Sequence, residues 1–265
     1  MTLINDYENN GYVIVKNAFS KEFCNLVKKS TVKLKSKLTL PFSKVPYGFG
    51  DVRNINPFNK ISESKLIQNY ANELIGADSK LSHFMLVNKA AWIGPDVEWH
   101  QEVFNLQIYA PGCSADKDWK RFLQVFIAID KHEKLNGCLK VFKGSHRAGV
   151  LDYEDIVNLN CSHKRRVKPE VLDELVKSYE ILDVEMEEGD ALFFNHLLVH
   201  GSPSNVSGNS RLSALLQYFD KDLSFEGKNF HEYSSFRANF VADWLKSSLG
   251  NVDHYRQNLS DFKKN

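Results

Sequence analysis

The chain has almost no charge to spare. Its 34 Lys and Arg face 33 Asp and Glu, a formal net charge of +1. That excludes the broad basic field with which a nucleic-acid partner is gathered. The local clusters Lys28-Lys29, Lys164-Arg165-Arg166 and Lys263-Lys264 read as solvated faces or tails. Long apolar runs are missing too. None approaches the roughly 20 residues that span a bilayer, so no membrane partner is expected. The opening MTLINDYENNGYVIV has no charged start, no apolar run and no small-residue cleavage site. The four cysteines, Cys24, Cys113, Cys138 and Cys161, form no CxxC pair and read as free buried thiols. A cytoplasmic protein is the expectation.

What remains is ordinary globular composition, 43% hydrophobic and 12% aromatic over 265 residues, ample for a core. Gly11–Val15 is a short β-branched run that predicts a strand. Ser20, with Glu22 in the following turn, predicts the start of a helix that runs to about residue 37. Residues 39–60 are rich in Pro, Gly, Asn and aromatics and read as a long binding loop. A second helix is predicted over Ser64–Ile75.

From about residue 82 the pattern turns to strands: FMLVNKAAWI, EWHQEVFNLQIY, RFLQVFIAID, CLKVF, EILDVEM, DALFFN and RLSALLQYF. In RFLQVFIAID both alternating faces are apolar, which marks a central, buried strand. Asn136-Gly137 is a hairpin-type turn signal, and a helical insertion is predicted around Pro169–Tyr179. No repeat, linker or domain boundary is visible, so residues 1–265 are read as a single domain. Helices followed by many short strands predict an α+β, mainly β, domain with a β-sandwich or barrel core.

The chemistry starts at EWHQEV. On a strand, His100 and Glu102 share a face. Near the end of the strand series EEGDALFFNHLLVHGS brings His196 and His200. If His200 faces the first pair, two imidazoles and a carboxylate make a facial triad that leaves positions open on non-haem Fe(II). His196 and His200 do not form the helical zinc motif, because Leu197 stands where its Glu belongs. Taken singly, each of these histidines is more ordinarily a core or surface residue.

Three blocks taken together are more specific: WHQE, then NGCLKVFKGSHRAG, then HGSPSNVSGNSRLS. Over roughly residues 8 to 220 the sequence resembles the phytanoyl-CoA dioxygenase family of Fe(II)/2-oxoglutarate oxygenases. The resemblance implies a double-stranded β-helix, a cupin-like jelly-roll core with flanking helices. It implies His100, Glu102 and His200 as iron ligands, with Glu102 where the family usually carries Asp. The retained carboxylate speaks against a halogenase, an activity that needs that position vacated for chloride. Arg211 is implied as partner of the distal carboxylate of 2-oxoglutarate, a pairing suited to a planar guanidinium. Ser213, Ser202, Met85 and Phe126 fall where the family places cosubstrate-pocket residues, and Arg53 is a further candidate for cosubstrate or substrate. Loop 39–60, Ala110–Trp119 and FHEYSSFRANF, with Lys117, Lys120 and Arg237, are expected to line the substrate pocket. His146, in the GSH block, is not expected as a ligand, since the triad is complete without it.

The implied activity is oxidation of a small, polar organic molecule by O2 and 2-oxoglutarate, with release of succinate and CO2. Hydroxylation is the expected outcome; desaturation or ring closure are also open. Two other classes compete: a non-catalytic jelly-roll binding protein, supported by Glu102, and a cupin-like metal enzyme that does without 2-oxoglutarate, which Arg211 and Ser213 oppose.

Overall fold

The computed structural model describes residues 3–37, 52–103, 119–156 and 165–223. The helices begin and end where local chemistry dictates. Helix α1 (Leu3–Asn10) stops at Gly11, whose φ of 79° suits glycine and whose N–H closes on the Tyr7 carbonyl at 2.8 Å. Helix α2 (Lys21–Lys37) is capped by Ser20, whose Oγ accepts from the Phe23 N–H at 3.2 Å. A single turn, α3 (Asn59–Ser62), precedes α4 (Lys65–Ile75), which starts at the Ser64 cap and ends at Gly76 with φ 76°. Helix α5 (Pro169–Ser178) starts on proline, where the missing N–H costs nothing.

Strands β1 (Tyr12–Val15), β9 (Ala191–Asn195), β4 (Phe122–Ala128), β11 (Arg211–Asp220) and β2 (Ser79–Lys89) form, in that order, an antiparallel five-stranded sheet. A four-stranded antiparallel sheet has the order β3 (Val97–His100), β10 (His200–Ser202), β5 (Leu139–Phe142), β8 (Ile181–Val184). Strands β6 (Tyr153–Asp155) and β7 (Arg165–Val167) pair with each other.

The expected central strand is β4. It lies in the middle of its sheet, and every one of its residues is buried. Leu123, Val125 and Ile127 pack with Phe193, Ala214 and Leu216 against Ile67, Ala71 and Ile75 of α4. On the opposite face, Phe126 and Ala128 join Leu192 and Phe194, and they meet Leu139, Val141 and Val184 of the smaller sheet. The two sheets therefore share one core, and the inward face of the larger sheet also carries the polar residues described below.

Three expectations change. The strand carrying His100 stops at that residue, and Glu102 lies in the turn that follows, so the two side chains do not share a strand face. Asn136-Gly137 does not close a hairpin: β4 and β5 belong to different sheets. The turn is a short 3-10 helix (Lys134–Asn136) that carries the chain from one sheet to the other, ended by Gly137 at φ 75°. A Cβ there would stand 2.4 Å from the Pro203 carbonyl, so only glycine fits. Helix α1, whose mixed sequence gave no clear period, was not expected. Residues 1–2, 38–51, 104–118, 157–164 and 224–265, with Lys117, Arg237, Cys113 and Cys161, lie outside the described residues, as does a helix that the sequence suggests over Ala238–Leu249. Among the described residues no helix is long and apolar enough to cross a membrane.

Phe193 is fully buried between the larger sheet and α4, with its ring 5.8 Å from that of Tyr70. Phe193→Ala is expected to cost about 3–5 kcal/mol. Urea unfolding checks this; a loss under about 1 kcal/mol would show that the sheet–helix core is not what holds the fold.

Candidate metal centre

His100 ends β3 and His200 begins β10, and the strands pair so that the two residues lie directly opposite each other. Their ring centroids are 4.2 Å apart. Each ring is turned by its own backbone: Nδ1 of His100 lies 2.7 Å from the Glu98 carbonyl, and Nδ1 of His200 lies 2.9 Å from the Leu198 carbonyl. A carbonyl only accepts, so Nδ1 carries the proton in the neutral ring and the Nε2 lone pair points away. The Nε2 atoms of His100 and His200 lie 3.8 and 3.4 Å from Oε1 of Glu102.

One ligand atom from each of His100, Glu102 and His200 lies within 4.8 Å of the others. Burial and the neighbouring His200 hold His100 below the ordinary imidazole range. Burial opposes ionisation of Glu102, but His100 and His200 outweigh it and hold the carboxyl well below the usual range. With both Nδ1 atoms bonded to carbonyls, the two Nε2 atoms converge on one carboxylate, an arrangement that a cation among the three would complete. The donor set of two nitrogens and one oxygen fits a first-row divalent ion with positions to spare. The backbone carbonyls on Nδ1 are the outer-shell partners such ligands use.

Beyond His200 lies a buried cationic cluster. Ser202, two residues along β10, accepts at Oγ from Nζ of Lys89 at 2.7 Å, and Lys89 also donates to the Ser202 and Pro203 carbonyls. Lys89 pairs across the sheet with Arg211. Arg211 is 2% exposed. Its Nη1 donates to the Gly137 carbonyl, its guanidinium lies 5.6 Å from the centre of the Phe126 ring, and its Nε has no hydrogen-bond partner. No carboxylate among the described residues pairs with it. Burial pushes its pKa down to about 10. Ser213, on the same face of β11, lies opposite Ala128 and Val87, and its Oγ is 3.0 Å from Nε2 of His132.

The structure thus brings His100, Glu102 and His200 together, and Arg211, Ser213, Ser202 and Phe126 into one adjoining region. Met85 joins them on the inward face, opposite Leu215, which in turn faces Phe126. Arg53 lies apart. Its guanidinium donates to the Leu81 and Ser82 carbonyls, at the far end of β2 from Lys89, roughly 25 Å along the strand. His146 is buried with Nε2 3.1 Å from the Glu8 carbonyl and is outside the ligand cluster, as expected. Lys89 and His132 were not anticipated. A lysine at a strand end ordinarily reads as solvated, and only its register with Arg211 reveals it.

Three buried imidazoles, His100, His132 and His146, are held below the ordinary value of 6.5, each first by burial. The unfolded chain therefore takes up protons there before the folded one does. Stability of the metal-free protein should be level above about pH 6.5 and fall as pH drops through the depressed folded values. Urea unfolding over a series from about pH 8 to about pH 5 tests this; a midpoint that rises on acidification contradicts it.

The sequence and the fold both have relatives among known proteins. A probable phytanoyl-CoA dioxygenase of Caenorhabditis elegans is 26% identical over 241 residues, 82% of this chain and 74% of that one. The crystal structure of EctD from S. alaskensis with 2-oxoglutarate and 5-hydroxyectoine superposes with a TM-score of 0.68 at 19% identity, covering 84% of this chain and 77% of that one. The epimerase SnoN, in complex with Fe3+, alpha ketoglutarate and nogalamycin RO, gives 0.64 at 16% identity over 86% and 85% of the chains. The sequence pattern of the family Phytanoyl-CoA dioxygenase (PhyH) matches residues 7–213, and the chain belongs to that family.

Proposed function

We propose that this chain is an Fe(II)- and 2-oxoglutarate-dependent dioxygenase that hydroxylates a small, polar organic substrate. The observation that carries the reading is Arg211: a buried guanidinium with no carboxylate partner among the described residues, paired in register with Lys89, which bonds Ser202 on the strand that carries His200. Leaving a buried charge unpaired costs several kcal/mol. A dicarboxylate reaching in from a metal would meet that need.

On this reading His100, Glu102 and His200 would hold iron, and the bound iron supplies oxidation by O2 coupled to conversion of 2-oxoglutarate to succinate and CO2. Arg211 receives the distal carboxylate with charge-assisted hydrogen bonds, and Ser213 adds a hydroxyl. Lys89 fixes Ser202 and places a second positive charge beside Arg211. Phe126 and Phe194 keep water from the interior; the Phe194 ring lies 4.9 Å from that of His200. The two sheets are read as the walls of a double-stranded β-helix, and residues 1–265 as one oxygenase domain.

Gln124 supports a polar substrate. It lies opposite Phe194, on the inward face of β4. The side chain is 2% exposed, and Oε1 has no hydrogen-bond partner. A hydrocarbon there would leave the amide unsatisfied, whereas a substrate N–H or O–H would pair with it. The convergence of Glu102 with both imidazoles counts against a non-catalytic binding protein, and the unpaired Arg211 counts against an enzyme that does without 2-oxoglutarate.

An anaerobic titration with Fe(II) and 2-oxoglutarate should give the weak visible charge-transfer band of a chelated keto acid. Glu102→Ala is expected to lose it. Arg211→Ala should weaken 2-oxoglutarate binding on the order of 100-fold, the loss of a buried charge-assisted pair. No band in the wild-type protein, or a band indifferent to Arg211, overturns the reading.

A further inference from the structure

His132 plays no part in the proposal above, yet it lies against it. It sits in the connection from β4 to β5, fully buried, with its ring 5.4 Å from that of Phe126. Its backbone is pinned on both sides: its N–H donates to the Met186 carbonyl at 2.8 Å, and the Met186 N–H donates back at 3.1 Å. Among the described residues the ring has one side-chain hydrogen-bond partner, Oγ of Ser213, 3.0 Å from Nε2, and it also interacts with the Leu212 backbone. Nδ1 is buried and has no hydrogen-bond partner.

That asymmetry selects a tautomer. Burial, and then the positive charge of Arg211, outweigh an opposing interaction with the Leu212 backbone and hold the imidazole well below its ordinary value, so a single ring proton must be placed. A proton on Nδ1 would leave an orphaned N–H, the costlier and rarer kind of unpaired buried group. A proton on Nε2 is used at once, by donation to Ser213, and leaves only a bare acceptor at Nδ1. With Nε2–H donating, the Ser213 oxygen is the acceptor in that bond and its own hydroxyl hydrogen is free for another partner. A carboxylate can only accept. For Ser213 to serve a carboxylate beside Arg211 its hydrogen must point that way, and a donor behind it is what turns it there.

We propose that His132 is a positioning residue that sets Ser213 as a hydrogen-bond donor to the distal carboxylate of the dicarboxylate held by Arg211. The relay runs from Nε2–H of His132 to Oγ of Ser213, and from the Ser213 hydroxyl to the carboxylate. It rests on the 2-oxoglutarate reading above and adds to it a residue outside direct contact.

The test uses the anaerobic charge-transfer titration with two keto acids: 2-oxoglutarate, and 2-oxobutyrate, which keeps the chelating end but lacks the distal carboxylate. His132→Phe should raise the Kd for 2-oxoglutarate about three- to tenfold, the loss of one neutral hydrogen bond, and leave that for 2-oxobutyrate unchanged. His132→Gln, which can donate from its amide, should recover most of the loss. The double variant His132→Phe/Ser213→Ala should bind no more weakly than Ser213→Ala alone, since one relay cannot be broken twice. Equal weakening of both keto acids, or additive losses in the double variant, overturns the proposal and leaves His132 as packing. A measurement without variants covers the case in which His132→Phe does not fold. In Zn(II)-loaded protein with 2-oxoglutarate, long-range 1H–15N correlation should show His132 protonated at Nε2; protonation at Nδ1 overturns the proposal. Failure of the underlying reading shows separately, in wild-type protein, as a missing band or one indifferent to Arg211→Ala.

Discussion

The interior of this protein is organised around buried charge. Glu102 is held ionised between two imidazoles, and Arg211 sits 2% exposed with no carboxylate beside it among the described residues. Water is not at hand to solvate either group, and Coulomb interactions over a few ångströms weigh far more there than at the surface. An apolar barrel would gain nothing from such residues. They are tolerable only if something else completes them: a cation among His100, Glu102 and His200, and a carboxylate against Arg211. The two needs are of opposite sign and adjoin. A metal chelated by one end of a dicarboxylate is a single arrangement that answers both.

The sheets divide this work. The smaller sheet brings the two imidazoles together, because β10 pairs with β3 in a register that sets His200 opposite His100. The larger sheet supplies the cations, because β11 pairs with β2 in a register that sets Arg211 opposite Lys89. Strand β10 joins the halves: His200 at its start faces the metal cluster, and Ser202 at its end accepts from Lys89. A slip of one residue in either ladder would turn every inward side chain outward. Registers held by extensive apolar packing on both faces of β4 therefore serve the site as much as the fold.

Much of this was legible in the sequence. The buried centre of the sheet followed from two apolar faces in RFLQVFIAID, the helix starts from Ser20 and Ser64, and the family from three ordered blocks. What was not legible has physical causes. Lys89 and His132 matter through cross-strand neighbours 122 and 81 positions away, Arg211 and Ser213, and no local pattern encodes such pairing. Asn136-Gly137 carries the chemistry of a tight turn, which is the same whether the chain returns to its own sheet or crosses to another. Helix α1 has a single buried residue, Tyr7, too little to impose a period. Arg53 was a candidate on its charge alone, since sequence does not give its partners, which include two backbone carbonyls.

Glu102 shows how one side chain's chemistry depends on the backbone beneath it. Had β3 continued, a glutamate in place of the family's usual aspartate would push its carboxylate too far along the His100 face. Instead the strand ends at His100, and the residues around Glu102 are fixed from elsewhere. Gln101 is fully buried; its amide donates to the Leu197 and Gly149 carbonyls at 2.6 and 2.9 Å and accepts from the Leu151 N–H at 2.9 Å. On the other side, the Val103 N–H reaches the His196 carbonyl at 3.4 Å, with its side chain 2% exposed. Held at both flanks, the turn starts Glu102 from off the strand, and its carboxylate still arrives 3.4 and 3.8 Å from the two Nε2 atoms. An aspartate in this turn would be shorter by one C–C bond, about 1.5 Å. It would retreat from both imidazoles, and a site that closes through glutamate would open. The longer side chain is thus matched to the turn that carries it, and its departure from the family's usual aspartate is no sign by itself of a decayed centre.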